Sequence, residues 1–357
     1  MAYTDIDDPS DFFTPHIWNG TSSNHTESIG MQPDLVWVKG RSVATDHTLF
    51  DVVRGFAVGK SLGSNTNAAE DGSNTTAYGG ISGVTSDGFT VTAGSSNADY
   101  VNTSGRTYVS WNWKAGTSFT NDASSTSVGT IDSAGSVNTA AGFSIISYTG
   151  TGSAGTIAHG LGVKPDWIIS KIKSTTGDWN VYHDTFGATG RIKLNSAAAG
   201  SNNTSIFAEL PTSSVISVGN GGDINTSSGT HIFYCFAGKQ GYSKFGSYTG
   251  NGNADGSFVY LGFKPAFLII KCTDAARSWQ IHNSKSSPFN TGNTNARLFA
   301  NLTDAEATNS SLDLLSNGFK VREADDLNTN GSGNAYIYMA FAENPFVTST
   351  GVPATAR

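Results

Sequence analysis

Charge is the first thing this sequence lacks. Only 14% of its 357 residues are charged, and the formal net charge is −7. No basic stripe of the kind that binds nucleic acid is present, so DNA and RNA are not expected partners. The sequence also has no apolar run near the roughly 20 residues of a membrane-spanning helix, and its N-terminus has no signal-peptide pattern. We therefore expect a protein that is made in a cytoplasm and does not insert into membranes.

Cysteine is nearly absent as well. The two cysteines, Cys235 and Cys272, both lie in predicted strands. Buried, reduced thiols are the simpler interpretation for a chain made in a cytoplasm, and a disulfide would require the two strands to be neighbours. The seven histidines include no pair with metal-ligand spacing, so neither a metal site nor a cofactor is predicted.

Glycine, serine, threonine and asparagine take the place of charge. Such a composition would indicate disorder if aromatic residues were scarce, but the chain has 20 Phe, 12 Tyr and 7 Trp, which can anchor ordered cores. No segment sustains an apolar period of 3.6 residues. Many short alternating runs separated by Gly, Asn and Asp turns instead predict antiparallel β-sandwiches.

One phrase occurs three times, at 32–39, 164–171 and 264–271. Each copy is a proline, a short apolar run and a closing lysine, and proline suits the first residue of a strand. Further landmarks follow in the same order, including a bulky ring eight residues after each lysine: His47, Trp179 and Trp279. A repeat of about 100 residues predicts an all-β chain of three tandem homologous antiparallel β-sandwich modules, jelly-roll-like, with extended terminal arms.

The repeat also sets the expected boundaries. They are an N-terminal arm at 1–12, module 1 at 13–116, a Ser/Thr/Gly-rich linker at 117–141, module 2 at 142–239, module 3 at 240–346 and a C-terminal arm at 347–357. A long excursion with short strands near 128–131 is the alternative interpretation of the linker. Polar arms of this kind either fray or dock on another subunit. The residues predicted to bind a partner in this way are Tyr3, Ile6, Pro9, Val352, Pro353 and Arg357.

Four patterns are candidates for chemistry, and each has a simpler structural interpretation. Residues 251–256 resemble the start of a calcium loop, but the twelfth position is Gly262 where a glutamate is needed. Residues 150–155 match GxGxxG between two predicted strands, without the helix that would hold a phosphate. His183 with Asp184, and His47 with Asp51, could support acid–base chemistry, yet the third repeat has no such pair. No catalytic, cofactor-binding or metal-binding residue is predicted.

Glycoside cleavage needs two carboxylates roughly 5–10 Å apart. Candidate carboxylates are present, but the sequence does not place them in one cleft: Glu209, Asp223, Asp304 and Glu306. The regular short coils of a β-helix are also missing. Trp179 and Trp279 have two interpretations, because they either fill a sandwich core or stack on the sugar rings of a glycan. Exposure of the two indoles distinguishes these interpretations.

Several phrases resemble a family of repeat-containing virion proteins of tailed phages of marine bacteria. They are MAYTDIDDP (1–9), YTGNG (248–252), GFKP (262–265) and YIYMAFAENPF (336–346). The first repeat departs most, with HIWNG at 16–20 in place of the Tyr-Thr-Gly phrase. Members of this family are often labelled tail-fibre or structural proteins, so the resemblance implies a virion component made in the host cytoplasm and placed on the particle surface.

Three functions agree with this reading. The first is a non-enzymatic tail fibre or adhesin that binds a host surface glycan or protein. The second is a decoration protein that stabilises the capsid shell, with the arms bound to capsid protein, and the third is a polysaccharide-degrading tailspike. Other virion proteins of the tail or capsid are the expected partners in each case. A homo-oligomer, most simply a trimer, is also expected.

Overall fold

The computed structural model describes residues 4–290, 295–309, 311–324 and 326–353. As the sequence predicts, the described chain is all-β, and its helices are single turns. The α-helical turns are Thr75–Tyr78 (α1), Ala123–Thr126 (α2) and Gly222–Asn225 (α3), and the 3-10 turns are Pro9–Asp11 and Asp184–Phe186. In this part of the chain, no helix has the length and apolar character needed to cross a membrane.

The described strands fall into three consecutive ranges. Residues 13–116 contain β1 Phe13–Asn19, β2 His25–Ser28, β3 Leu35–Gly40, β4 Thr48–Asp51, β5 Gly80–Thr85, β6 Gly88–Thr92 and β7 Thr107–Trp113. Residues 117–239 contain β8 Thr117–Asn121, β9 Ser133–Asn138, β10 Phe143–Thr149, β11 Gly155–Ala158, β12 Trp167–Ile172, β13 Asn180–His183, β14 Gly190–Lys193, β15 Ser201–Asn202, β16 Val215–Val218 and β17 Thr230–Phe236. Residues 240–346 contain β18 Ser243–Thr249, β19 Phe258–Tyr260, β20 Phe263–Cys272, β21 Gln280–Asn283, β22 Asn295–Phe299, β23 Ala307–Asn309, β24 Leu312–Leu315, β25 Gly318–Val321 and β26 Ala335–Pro345.

Every sheet draws its strands from one of these ranges, which we name units 1, 2 and 3. The large sheets have the strand orders β1-β7-β3-β4, β15-β14-β13-β12-β17-β10-β9-β8 and β18-β26-β20-β21-β22-β23. The small sheets have the orders β2-β6-β5, β11-β16 and β19-β25-β24. In each large sheet the strand that carries the repeated phrase (β3, β12 or β20) lies beside the last long strand of its unit.

These phrase-bearing strands are buried at every position. A continuous apolar run suits a strand that is covered on both faces, and each large sheet is covered in this way. On one face it packs against the small sheet of its own unit around a separate apolar cluster. On the other face all three large sheets contribute to one shared cluster.

Aromatic rings from all three units meet in this shared core. The ring of Trp113 from unit 1 lies 6.3 Å from Phe236 of unit 2 and 5.7 Å from Phe267 of unit 3, measured between ring centroids. Phe341 of unit 3 also contacts Trp113, at 5.6 Å, and Phe236, at 5.8 Å. Because apolar burial is the dominant favourable term in folding, this core joins the three units into a single body.

The repeated landmarks lie at the contacts between units. Each bulky ring bonds a backbone carbonyl of another unit, in cyclic order: His47 Nε2 with Phe299 O (2.9 Å), Trp179 Nε1 with Gly63 O (2.8 Å) and Trp279 Nε1 with Lys193 O (2.9 Å). Trp37 Nε1 donates to His47 Nδ1 at 2.8 Å, which leaves His47 Nε2 to carry the proton. The backbone N–H of each of these three residues donates to the side-chain oxygen of a neighbouring asparagine: Asn65, Asn195 and Asn301.

The closing lysine of each phrase makes a second set of cyclic contacts. Each ammonium reaches a carbonyl of another unit: Lys39 to Thr303 O (3.0 Å), Lys171 to Asn67 O (3.4 Å) and Lys271 to Ala197 O (3.0 Å). Each also donates to a carbonyl of its own unit: Gly40 O (3.1 Å), Ile172 O (2.7 Å) and Arg277 O (2.7 Å). We call these ring and lysine contacts the interlock.

The prediction of a linker at 117–141 is wrong. This stretch supplies β8 and β9, which extend the large sheet of unit 2 beyond β10. Its serine, glycine and alanine residues have weak strand propensity, so the sequence pattern is faint. Hydrogen bonding to the edge of β10 supplies the order that the side chains do not encode.

The terminal arms are not extended where the structure describes them. Ile6 is buried in the shared core, and Asp5 N donates to Gln240 O at 3.2 Å. Gly241, with φ +77°, permits this approach, because a Cβ there would lie 2.3 Å from Thr4 Oγ1. The expected alternatives, fraying or docking on another subunit, are therefore corrected for residues 4–11, which dock on their own chain.

The other predicted arm residues occupy different settings. Pro9 is buried in the 3-10 turn, whereas Val352 and Pro353 are exposed. The C-terminal stretch meets the N-terminal one, since Ser349 N donates to Asp7 Oδ1 at 2.7 Å. Tyr3 and Arg357 lie outside the described residues.

Candidate functional site

The predicted glycan-stacking residues do not form a surface. Trp179 and Trp279 are both 0% exposed and belong to the shared core. Sugar stacking needs an accessible ring face, so the stacking interpretation is corrected and the core interpretation stands. Each indole instead anchors the interlock through its N–H.

In both histidine–aspartate pairs, the two side chains form hydrogen bonds with other partners. His183 is buried and bonds Thr185, while Asp184 accepts from the Tyr182 hydroxyl at 3.1 Å. The His47 ring is held in the interlock. Asp51 is bound by other partners, namely Arg54 Nε at 2.5 Å and Tyr234 Oη at 2.7 Å. Neither pair has the direct contact that general acid–base catalysis uses.

The remaining sequence patterns have ordinary structural roles. In the calcium-like loop the Asn251 side chain accepts from Asn253 N at 3.0 Å, and that of Asn253 accepts from Asp255 N at 2.9 Å, as in Asx turns. Among the described residues no group of three or more His, Cys, Asp or Glu side chains could hold a metal. The GxGxxG stretch at 150–155 connects β10 to β11, so strands flank it on both sides.

The four candidate carboxylates lie in two units, with Glu209 and Asp223 in unit 2 and Asp304 and Glu306 in unit 3. Glu306 forms a bidentate pair with Arg41 across the contact between units 3 and 1, with distances of 2.8 and 2.7 Å. Asp223 accepts from Asp178 N at 3.1 Å in unit 2, and Glu209 is exposed in the same unit. Asp304 lies in the stretch between β22 and β23 of unit 3.

A groove of about 580 Å³ lies where unit 2 meets unit 3. Its walls are the turn at 238–243, the start of β18, the end of β19 and residues 346–347. Gly262, with φ +84°, makes the turn that leads β19 into β20 along this wall. Tyr260 is 54% exposed on the rim, and Phe258 is exposed on the same face of β19.

Charged groups lie beside the exposed ring. Lys244 Nζ is 5.6 Å from the Tyr260 ring centroid and donates to Tyr260 O at 2.7 Å. Asp166, which also lines the groove, accepts from Gly238 N at 2.8 Å. Partial burial raises the pKa of Asp166 and lowers that of Lys244. Both residues line the groove.

This combination suits a polyhydroxylated or amphipathic ligand. An accessible phenol ring supplies apolar contact with a polar edge, and a few convergent polar groups fix the orientation of a ligand. Sequence analysis missed the groove, because its parts come from 166, 238–245, 260–262 and 346–347 and only the fold brings them together.

Comparison with known families gives one result. A family model described as a domain of unknown function (DUF7483) matches residues 8–345. The chain belongs to the DUF7483 family. No curated protein sequence matches it. The DUF7483 match runs from the docked N-terminal segment to the end of β26, so the three units, the interlock and most of the groove lie within one family domain.

The repeated landmarks could have located the interlock before the structure did. His47, Trp179 and Trp279 recur at one spacing, and a contact that is repeated three times preserves its spacing in each copy. An aliphatic residue also stands three residues before the asparagine of each copy: Leu62 before Asn65, Ile192 before Asn195 and Leu298 before Asn301. With this alignment the acceptor carbonyls of this DUF7483 member, at residues 63, 193 and 299, are equivalent.

Proposed function

We propose that the protein is a surface component of a phage particle, most simply a non-enzymatic tail fibre or adhesin that contacts the host. The observation that carries this proposal is the groove, where the exposed Tyr260 ring lies beside Lys244 and Asp166 also lines the wall, on an interlocked scaffold. A host glycan or a polar protein loop is the ligand class that such a surface fits. The resemblance of the repeats to virion proteins supports the same assignment.

We also propose that the three units are tandem homologous, jelly-roll-like sandwich modules. Support comes from the strand order, since the first, last and third strands of the repeat are adjacent in each large sheet: β1-β7-β3, β10-β17-β12 and β18-β26-β20. The equivalent inter-unit bonds give further support. Homo-oligomerisation, with a trimer as the simplest form, and contact with other virion proteins belong to this proposal.

A capsid decoration protein is the second candidate. It is favoured by the contact between Ser349 N and Asp7 Oδ1, because this contact brings both terminal stretches to one end of the molecule. A single terminal patch could then attach to a shell. The adhesin assignment ranks first because residues 4–11 are engaged with their own chain.

Labelling of intact particles tests the location. An antibody to this chain is applied to virions and viewed by electron microscopy. Label at the tail tip or fibres supports the adhesin assignment. Label over the icosahedral shell contradicts it and supports the decoration protein.

Binding of the purified protein to host cells tests the groove. We expect Tyr260→Ala to weaken cell binding by about tenfold, since stacking and ring burial contribute about 1–2 kcal/mol. Phe289→Ala is the matched control, because Phe289 is 69% exposed and lies outside the groove. Equal binding by both variants and the native protein would remove the groove from the proposal.

A further inference from the structure

We propose that the outer edge of β18 receives an extended strand from another polypeptide, rich in small residues, by β-sheet extension. The proposal goes beyond the assignment of a particle location and does not depend on it. It follows from a comparison of three equivalent strands, β1, β10 and β18, which each pair with the last long strand of their unit, on the side away from the phrase-bearing strand.

The backbone of β18 exposes unpaired groups on its outer side. Ala342 N donates to Tyr242 O, and Gly250 N donates to Asn334 O. In an antiparallel pair, alternate residues direct both their N–H and C=O groups to the same neighbouring strand. The even-numbered residues of β18 therefore bond β26, and the N–H and C=O groups of Phe245 and Ser247 point to the outer side. Within the described residues these four outward groups have no backbone partner.

In unit 2 the same edge is covered. There Ala237 N donates to Gly142 O, so Ile145 and Ser147 turn outward in the same way. They face Ser136 and Ala134 of β9. As a result Ile145 is fully buried, whereas its equivalent Phe245 is only half-buried and Ser247 is exposed.

In unit 1 the edge is protected by a different device. Gly20 N donates to Arg106 O and Lys114 N to Phe12 O, so the odd-numbered residues of β1 turn outward. The residue equivalent to Phe245 is Pro15, which has no N–H to offer. Proline at an outward position is a common means of preventing strand addition. Of the three equivalent edges, that of β18 has neither a covering strand nor a proline.

The strand β9 indicates which kind of segment would pair with the outer edge of β18. The strand Ser133–Asn138 has four small residues, Ser133 to Ser136, followed by one valine and one asparagine. Its backbone packs closely, because a Cβ on Gly135 would lie 1.8 Å from Ile145 O. Strand addition of this kind takes its affinity from main-chain hydrogen bonds. An extended segment of Gly, Ala and Ser residues therefore fits β18 as β9 fits β10.

A peptide with the sequence of residues 131–139 is the probe. We expect it to bind the full-length protein and to slow hydrogen–deuterium exchange of fragments that contain 245–247. Ser247→Pro removes one outward N–H, and we expect it to weaken binding by about tenfold, whereas Ser247→Ala keeps the backbone and the affinity. Thermal melts of both variants report whether the fold is intact.

Two modified peptides test the same contact without altering the protein. N-methylation at Ala134 blocks an amide that faces the receiving strand, so we expect loss of binding. N-methylation at Gly135 blocks an amide that faces away, so we expect affinity close to that of the parent peptide. No binding at about 1 mM peptide, or equal binding of both N-methylated peptides, would overturn the proposal. So would a concentration-dependent dimer of the protein alone that Ser247→Pro abolishes, because the edge would then bind a second copy.

Discussion

The three interlock lysines should make the protein more stable in mild alkali. Burial lowers the pKa of Lys39, Lys171 and Lys271 to about 8, from 10.5 in the unfolded chain. Between these pH values the unfolded state binds more protons than the folded state, so the free energy of unfolding rises with pH. Deprotonation does not break the contacts, because each nitrogen donates to two carbonyls and a neutral amine retains two N–H groups.

The size of the effect follows from the two pKa values. From about pH 7.5 to about pH 9.5, each lysine should add about 2 kcal/mol to the free energy of unfolding. Other groups act against this gain. Burial raises the pKa of Tyr234 and Tyr242, and raises that of Cys235 to about 12, so their ionisation in the unfolded state lowers stability over the same range. The diagnostic quantity is therefore the difference between the native protein and a variant that lacks one lysine.

Urea unfolding followed by tryptophan fluorescence at the two pH values measures this difference. Lys171→Met removes the titrating group and keeps an unbranched apolar side chain in the same space. We expect the pH-dependent gain of this variant to be about 2 kcal/mol smaller than that of the native protein. Lys285→Met is the control, because Lys285 is exposed and should leave the gain unchanged.

One result would refute this reasoning. If Lys171→Met and the native protein show the same change in unfolding free energy between the two pH values, Lys171 does not carry a depressed pKa in the folded state. The interlock would then hold its lysines as well-solvated cations, in conflict with their full burial.

Three further outcomes are expected. Trp179→Ala should lower the free energy of unfolding by about 3–5 kcal/mol, measured by urea titration, because a fully buried indole and its bond to Gly63 O are lost; a loss below about 1 kcal/mol would contradict its place in the core. The free energy of unfolding should fall by about 2 kcal/mol between about pH 7 and pH 5 for each histidine that is buried in its neutral form. Burial lowers the pKa of these histidines to about 4 in the folded state from 6.5 in the unfolded state, so the unfolded state takes up the proton first. A urea midpoint that stays constant across this pH range would contradict the prediction. Those histidines are His159, His183, His231 and His282. Cys235 and Cys272 are free and buried, so a thiol reagent should label them only after unfolding, and rapid labelling of the native protein would contradict their burial.

The sequence predicted the elements whose side chains carry a pattern. The proline phrases predicted three strands, and β3, β12 and β20 follow. The alternation of apolar and polar residues in 108–113 is likewise typical of a strand, and β7 spans Thr107–Trp113. These segments were predictable because their own apolar side chains order them.

Features that depend on a distant partner were not predictable in the same way. β8 and β9 are strands because β10 offers them an edge, not because serine and glycine favour strands. The buried state of Trp179 could not be read from its alternating neighbours, since period-2 alternation does not reveal that another unit covers the outer face. The groove has the same character, because Asp166 and Tyr260 meet only through the contact between two units.

Covalent continuity gives the interlocked arrangement a freedom that separate subunits lack. If three identical chains formed the same interlock, all three would have the same sequence. A strand edge left uncovered in one chain would then be uncovered in all three. In a single chain the three units can differ in sequence: Pro15 blocks one edge, β9 covers the second, and the edge of β18 remains uncovered. A nearly symmetric body can thereby carry one asymmetric contact, which would give each copy of the protein a defined orientation relative to the partner bound there.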